Sequence, residues 1–238
     1  MRKIKFVKGG IYHIFNRGVE KRNIFQDDID RWRFLQGLYL FNDEEKSTNL
    51  LWRLEKRKGG LNFRILKNFV EKENGKRRPL VKIMADCLMS NHYHLLLEEI
   101  EEGGISAFMH KIGTGYACYF NRKHERVGSL FQGTFKAVPV DKDLYLQYLL
   151  VYLNVVNPGE LVEPKLKERG VKNIDTIMKF TAEYPWSTHQ EYLGKRNSIV
   201  IDKGLLGDFF PIQTKYRAFV KDVLLTKRFN AVNRLFLE

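Results

Sequence analysis

Cysteine is scarce: Cys87 and Cys118 are the only two in 238 residues. Two thiols build neither a disulfide framework nor a four-cysteine zinc site, so a reducing cytoplasm is the expected compartment. Long apolar runs are missing too. Although 44% of the residues are hydrophobic, no stretch approaches the roughly 20 apolar residues of a membrane span, and no membrane partner is expected. The basic start, Met1 to Lys5, lacks the apolar stretch and small-residue cleavage site of a signal peptide. Internal repeats and long low-complexity linkers are absent. Acidic side chains are in short supply: 28 Asp and Glu face 41 Lys and Arg, a formal net charge of +13. That imbalance points to a polyanion, most simply nucleic acid, because each phosphate contact releases counterions. Charge names a partner class and no reaction.

What is present is an alternation of strand and helix patterns. Gly10 to Arg17, rich in β-branched and aromatic residues, reads as a first strand ended by Gly18. Asp27-Asp28 opens a helix to Leu40, the acids suiting the positive end of its dipole, with Ile29, Trp32, Leu35 and Tyr39 at helical spacing. Residues 43–79 are charge-rich and read as an insertion of short helical and extended pieces, partly mobile. Leu80 to Cys87 reads as a strand leading to a second one at His92. Ile105 to Lys123 reads as a helix, Thr134 to Val140 as a strand, and Asp143 to Val156 as a helix stopped by Asn157-Pro158. A further helix is expected from Thr214 through Lys227. The order β-α-(insertion)-β-β-α-β-α predicts an α+β fold, a ferredoxin-like antiparallel sheet with helices packed on one face. The expected organisation is a catalytic domain over 1–195 carrying the insertion, and a helical C-terminal extension over 196–238.

His92-Tyr93-His94 is the most informative tripeptide. A strand sends residues i and i+2 to the same face, so both imidazoles project side by side, close enough to hold one divalent metal. The plain alternative is a pair of ordinary strand histidines. Two imidazoles leave a metal undersaturated, so a third ligand and open positions for substrate oxygens are expected; for a phosphate substrate Mg²⁺ or Mn²⁺ is the sensible ion. A tyrosine is a candidate nucleophile, since a phenolate attacks phosphorus and leaves a displaceable phosphotyrosine. Its ordinary pKa near ~10 means that it needs a neighbouring cation or metal. Tyr145, Tyr148 and Tyr152 share one helix face, a spacing that by itself is more consistent with core than with catalysis. Arg17, Lys21 and Arg22 follow the first strand and are candidate phosphate contacts. Tyr119, Arg122, Lys123 and Arg126 interleave aromatics with cations, which suits stacking and backbone neutralisation on single-stranded DNA. Phe120 among them reads as core, and Trp186 as packing for the segment after the tyrosine helix. Gln132 and Lys136 stand beside the strand that leads to the tyrosine helix, and nothing in the sequence shows whether they approach the histidines.

Several motifs, in order, carry a resemblance. They are Asn16-Arg17-Gly18 with Ile24-Phe25, Met89 to His94, Tyr119-Phe120-Asn121, Gly128 to Gly133, Asn157-Pro158, and Tyr184-Pro185-Trp186-Ser187. Over residues 10–40 and 80–195 the chain resembles the HUH single-tyrosine transposases of insertion sequences, in particular the REP-associated tyrosine transposase branch. The resemblance implies metal-dependent nicking of single-stranded or hairpin DNA through a 5′-phosphotyrosine, with His92 and His94 as metal ligands. It implies Tyr152 as nucleophile, Tyr148 being the alternative one turn earlier. The chain departs from the family in one spacing: the residue four beyond Tyr152 is Val156, and Asn157 follows it. Either a local bulge restores the geometry, or Asn154 or Asn157 completes the metal site, or the site is weakened. A weakened site would leave a hairpin-binding protein without catalysis; a metal phosphodiesterase using water is a third reading. Homodimer and monomer are both compatible with the resemblance.

Overall fold

The computed structural model describes residues 4–45, 63–74 and 77–229. Strands β1 (Ile11–Arg17), β2 (Val81–Leu88), β3 (His92–Glu99) and β4 (Lys136–Pro139) form one sheet in the order β2-β3-β1-β4, and neighbouring strands run antiparallel. This is the ferredoxin-like order expected from the chain. Strand alternation sorts the side chains into two cores. Tyr12, Ile14, Tyr93, Leu95 and Leu97 pack with helices α1 (Asp28–Leu40) and α3 (Gly104–Lys123). Leu96 belongs to a second core, with α4 (Asp143–Val151), the turn that follows it, α5 (Ile174–Glu183) and α6 (Gln213–Thr226). Each large apolar side chain so buried contributes about 2 kcal/mol.

Helices therefore cover both faces rather than the single face expected from the sequence. The strand at Leu95-Leu96-Leu97 is apolar on both sides, which needs two layers; the second layer is α4 with the turn after it, joined by the helix at Gln213–Thr226.

Of the four α1 positions at helical spacing, Leu35 and Tyr39 turn inward and Ile29 and Trp32 do not. Ile29 is 65% and Trp32 44% exposed, while Asp30, Phe34, Leu35, Leu38 and Tyr39 are buried. The inward stripe starts at a carboxylate, which hid it from a count of apolar residues. Buried Asp30 accepts hydrogen bonds from the Gln26 N–H (2.9 Å), the Tyr119 hydroxyl (3.1 Å) and Lys123 (2.8 Å), and pairs with His124 Nε2 (3.0 Å). Burial pushes its pKa up, but the bonds from Lys123, Gln26 and His124 outweigh burial and hold it below the ordinary 3.8. A depressed folded-state pKa means stability that is present above the ordinary value and lost as pH falls through the depressed one. Asp30→Asn is thus expected to lower the urea midpoint at pH 7, with the difference from wild type shrinking on acidification below pH ~4; an equal difference at pH 7 and pH 3 contradicts this.

Within the 43–79 insertion, helix α2 (Phe63–Asn74) sends Leu66 and Val70 into the first core, and the Arg77 guanidinium lies 3.9 Å from the Tyr39 ring centroid while donating to the Tyr39 and Asn42 carbonyls. Residues 46–62, 75 and 76 of the insertion lie outside the described residues. The free edge of β2 is covered by residues 186–188: Leu88 N–H donates to the Trp186 carbonyl (2.8 Å) and Thr188 N–H to that of Asp86 (3.1 Å). Trp186 packs there edge-on to Trp32, with centroids 5.4 Å apart. Both cysteines are free. Among the described residues no helix is long and apolar enough to cross a membrane.

Candidate active site

The face of the sheet that carries the histidines is built by register. Phe15 lies opposite His94 and Arg17 opposite His92 across β1 and β3, and Lys136 of β4 lies opposite Phe15. The His92 and His94 rings stand 5.0 Å apart and nearly perpendicular. Each has its Nδ1 engaged. His92 Nδ1 lies 2.6 Å from Asn91 Oδ1, and the Asn91 amide nitrogen donates to the Lys21 carbonyl, which fixes the amide orientation. An amide oxygen only accepts, so the His92 proton sits on Nδ1. His94 Nδ1 lies 2.9 Å from Nε2 of His13, a β1 residue that the sequence reading passed over. Its signal was there: His13, Phe15 and Arg17 alternate on one strand face, the face later shown to hold the pair.

Beside the pair opens a cavity of about 220 Å³, lined by Phe15, Asn16, Arg17, Lys21, Asn91, His92, His94, Gln132 and Lys136. Three of these are cations and none is an acid, so an anion is the favoured occupant. Gln132 accepts from the Arg17 guanidinium, and Lys136 Nζ stands 5.8 Å from the Phe15 ring centroid. The turn that brings Lys21 here is tight: a Cβ on Gly18 would meet the Arg22 carbonyl oxygen at 2.2 Å. Glu20 and Lys21 then adopt left-handed φ of 56° and 60°, a conformation that costs non-glycine residues of order 1 kcal/mol each. Arg22 turns away to pair with Glu20 at 3.2 Å.

Tyr152 meets this face from the opposing layer. It is buried, its ring centroid 6.3 Å from that of His94, with Lys167 Nζ 5.0 Å from the ring. Tyr148, one turn earlier, stacks on Phe219 of α6 at 5.9 Å, so the structure brings Tyr152 to the histidines and Tyr148 to the C-terminal helix. The helix does not end at Asn157. Residues Tyr152–Val156 form a π turn in which the Asn157 N–H bonds the Tyr152 carbonyl, and helical geometry continues through Asn157–Gly159. The wider turn absorbs the one-residue excess between Tyr152 and Asn157 and accommodates Pro158, which has no N–H to place.

The two asparagines now separate. Asn154 is consumed by a buried chain: Thr188 Oγ1 donates to its Oδ1 (2.8 Å), and its Nδ2 donates to the Tyr216 hydroxyl (3.1 Å), which in turn bonds His189 Nδ1 (2.9 Å). Burial, then Lys195 and Arg217, pushes His189 down to about 3, so it accepts as a neutral ring. Asn157 is as buried, yet neither its Oδ1 nor its Nδ2 has a hydrogen-bond partner. An unmatched buried amide is costly and asks for a ligand.

The aromatic and basic residues of α3 are placed elsewhere. Tyr119 and Lys123 serve buried Asp30, Lys123 also pairs with Asp27 at 2.7 Å, and Arg126 donates to Asn121. Phe120 is buried, as expected, and Arg122 is exposed. This helix packs in the first core, behind the sheet from the histidines, so the site gathers Arg17 and Lys21 and leaves Arg22, Tyr119, Arg122, Lys123 and Arg126 apart.

A ferredoxin-like sheet presenting a strand His-x-His pair to a buried helical tyrosine defines the class of this molecule. The family described as "Transposase IS200 like" matches residues 44–155, just under half of the chain, from the insertion through β2, β3, α3 and β4 to the π turn. Over those residues the chain is similar to that family. No curated protein matches it. Among solved structures it is similar to "the REP associates tyrosine transposase bound to a REP hairpin", at 12% identity and a TM-score of 0.47, over 85% of this chain and 93% of that one.

Proposed function

We propose that this protein nicks and rejoins single-stranded or hairpin DNA, with Tyr152 as nucleophile. The observation that carries the reading is the Tyr152 ring 6.3 Å from that of His94, which itself lines a cavity with three cations and no acid. The Tyr152 oxygen forms a bond to phosphorus as its proton leaves to solvent; the bond from phosphorus to the 3′ oxygen breaks, giving a free 3′-hydroxyl and a 5′-phosphotyrosine. A 3′-hydroxyl attacking that phosphotyrosine reverses the bond changes and completes strand transfer without an external energy source. Arg17, Lys21 and Lys136 neutralise the strand that enters the cavity.

The residues present fit a divalent metal. Among the described residues no group of three or more His, Cys, Asp or Glu is arranged to hold one, so among them a third protein donor would be of another kind. The unmatched amide of Asn157 is such a donor. His92, His94 and Asn157 would hold Mg²⁺ or Mn²⁺, and the bound ion would polarise the scissile phosphate as a Lewis acid.

The test is incubation of the protein with a hairpin carrying a single-stranded flank, with and without Mn²⁺, followed by denaturing electrophoresis. A covalent 5′-linked adduct that needs the metal is expected. Salt-sensitive binding with no cleavage at any metal concentration identifies a non-catalytic binder, and cleavage without adduct a water-using phosphodiesterase. Binding also reports the cations: Arg17→Ala and Lys21→Ala are each expected to reduce the slope of log K against log salt by roughly 1. Unchanged slopes would remove both residues from the DNA path.

A further inference from the structure

We infer that His13 is a positioning residue, holding the proton of His94 on Nδ1 and so turning the Nε2 lone pair toward the metal position; this rests on the metal reading of the pair. His92 and His94 solve the same problem with different partners. For His92 the partner is an amide oxygen, which leaves no choice of tautomer. For His94 the partner is a second imidazole, and either ring can be the donor. If His13 donated, His94 would carry its proton on Nε2 and present a donor where a ligand atom is needed. If His94 donates, both histidines become Nδ1–H tautomers with Nε2 as the coordinating atom.

The packing favours a fixed arrangement. His13 is fully buried, and its ring lies nearly parallel to that of His94 (21°) with centroids 5.0 Å apart, a separation that two rings reach when joined end-on through a 2.9 Å N···N contact. On its other side it stacks on Phe15, centroids 5.0 Å apart and planes 27° apart. Because Phe15 lies directly opposite His94 in the register, His13 reaches His94 as a diagonal neighbour, and the pleat itself sets the contact. Nδ1 of His94 is occupied in this bond, so the geometry gives His13 an orienting role toward His94. His13 lies on β1, outside residues 44–155 that the family matches.

Two measurements on the full chain decide it. In metal-free protein, ¹⁵N NMR of the imidazoles is expected to show His94 as the Nδ1–H tautomer. By calorimetry with Mn²⁺, His13→Ala is expected to weaken binding by ~10–100-fold. His13→Gln, whose amide oxygen can accept the same proton, is expected to recover most of that loss and guards against a variant that merely fails to fold. His94→Ala is the reference for a lost ligand. An Nε2–H tautomer at His94 overturns the proposal, as does His13→Ala binding Mn²⁺ like wild type while His94→Ala is weakened. Equal binding by wild type and His94→Ala instead overturns the metal reading, and the proposal falls with it.

Discussion

Tyr152→Phe is expected to abolish the covalent protein–DNA adduct while leaving folding and hairpin binding intact. The substitution removes one oxygen, and that oxygen is the proposed nucleophile; no other group on the helix can take its place without moving a turn. Tyr148 is one turn away, but its ring is stacked on Phe219, so it does not supply a substitute attack. The ring contacts of Tyr152 with His94 and Lys167 survive in phenylalanine. The drop in adduct is therefore expected to reach background, with a thermal midpoint close to wild type. Undiminished adduct in this variant sinks the assignment, and loss of adduct in Tyr148→Phe alone would move it to Tyr148.

The second large effect separates function from stability at two asparagines three residues apart. Asn154→Ala breaks a buried chain and removes one hydrogen bond each from Thr188 and Tyr216, which keep their bonds to Asp86 and His189, a loss of about 1–3 kcal/mol for two buried hydrogen bonds. Asn157→Ala removes two buried polar atoms that have no partner, so stability is expected to hold or rise, while metal-dependent cleavage is expected to fall by ~10-fold or more, as for a lost ligand or ligand support. Urea unfolding and Mn²⁺-dependent cleavage, run on both variants, test the contrast. A destabilised Asn157→Ala that cleaves normally would show that the amide is structural and the third donor lies elsewhere.

These contrasts could not be read from the sequence. The departure in spacing after Tyr152 left a bulge, Asn154 and Asn157 all open, because a linear count assumes the α-helical repeat. The π turn changes that repeat by one residue, and only its hydrogen bonds reveal it. The same blindness misplaced the buried face of α1, where Asp30 replaces an apolar side chain and is sustained by partners about 90 residues away. Within the basic and aromatic run at 119–126, Tyr119 and Lys123 are engaged by Asp27 and Asp30, acids too distant in the chain for the sequence to pair with them.

What the sequence determined by itself is local and periodic. Alternation made His92-x-His94 a same-face pair, the order of strand and helix patterns implied the ferredoxin-like sheet, and the charge imbalance implied a polyanionic partner. What the tertiary structure decided is which side chains share a face and which are already spent: Tyr152 rather than Tyr148 at the histidines, Asn157 rather than Asn154 without a partner, His13 behind His94, and a second helical layer on the sheet. The physical reason is that hydrogen bonds and burial saturate. A side chain that has met its partner is no longer available for chemistry, and those partners come from strands and helices whose distance along the chain carries no periodic signal.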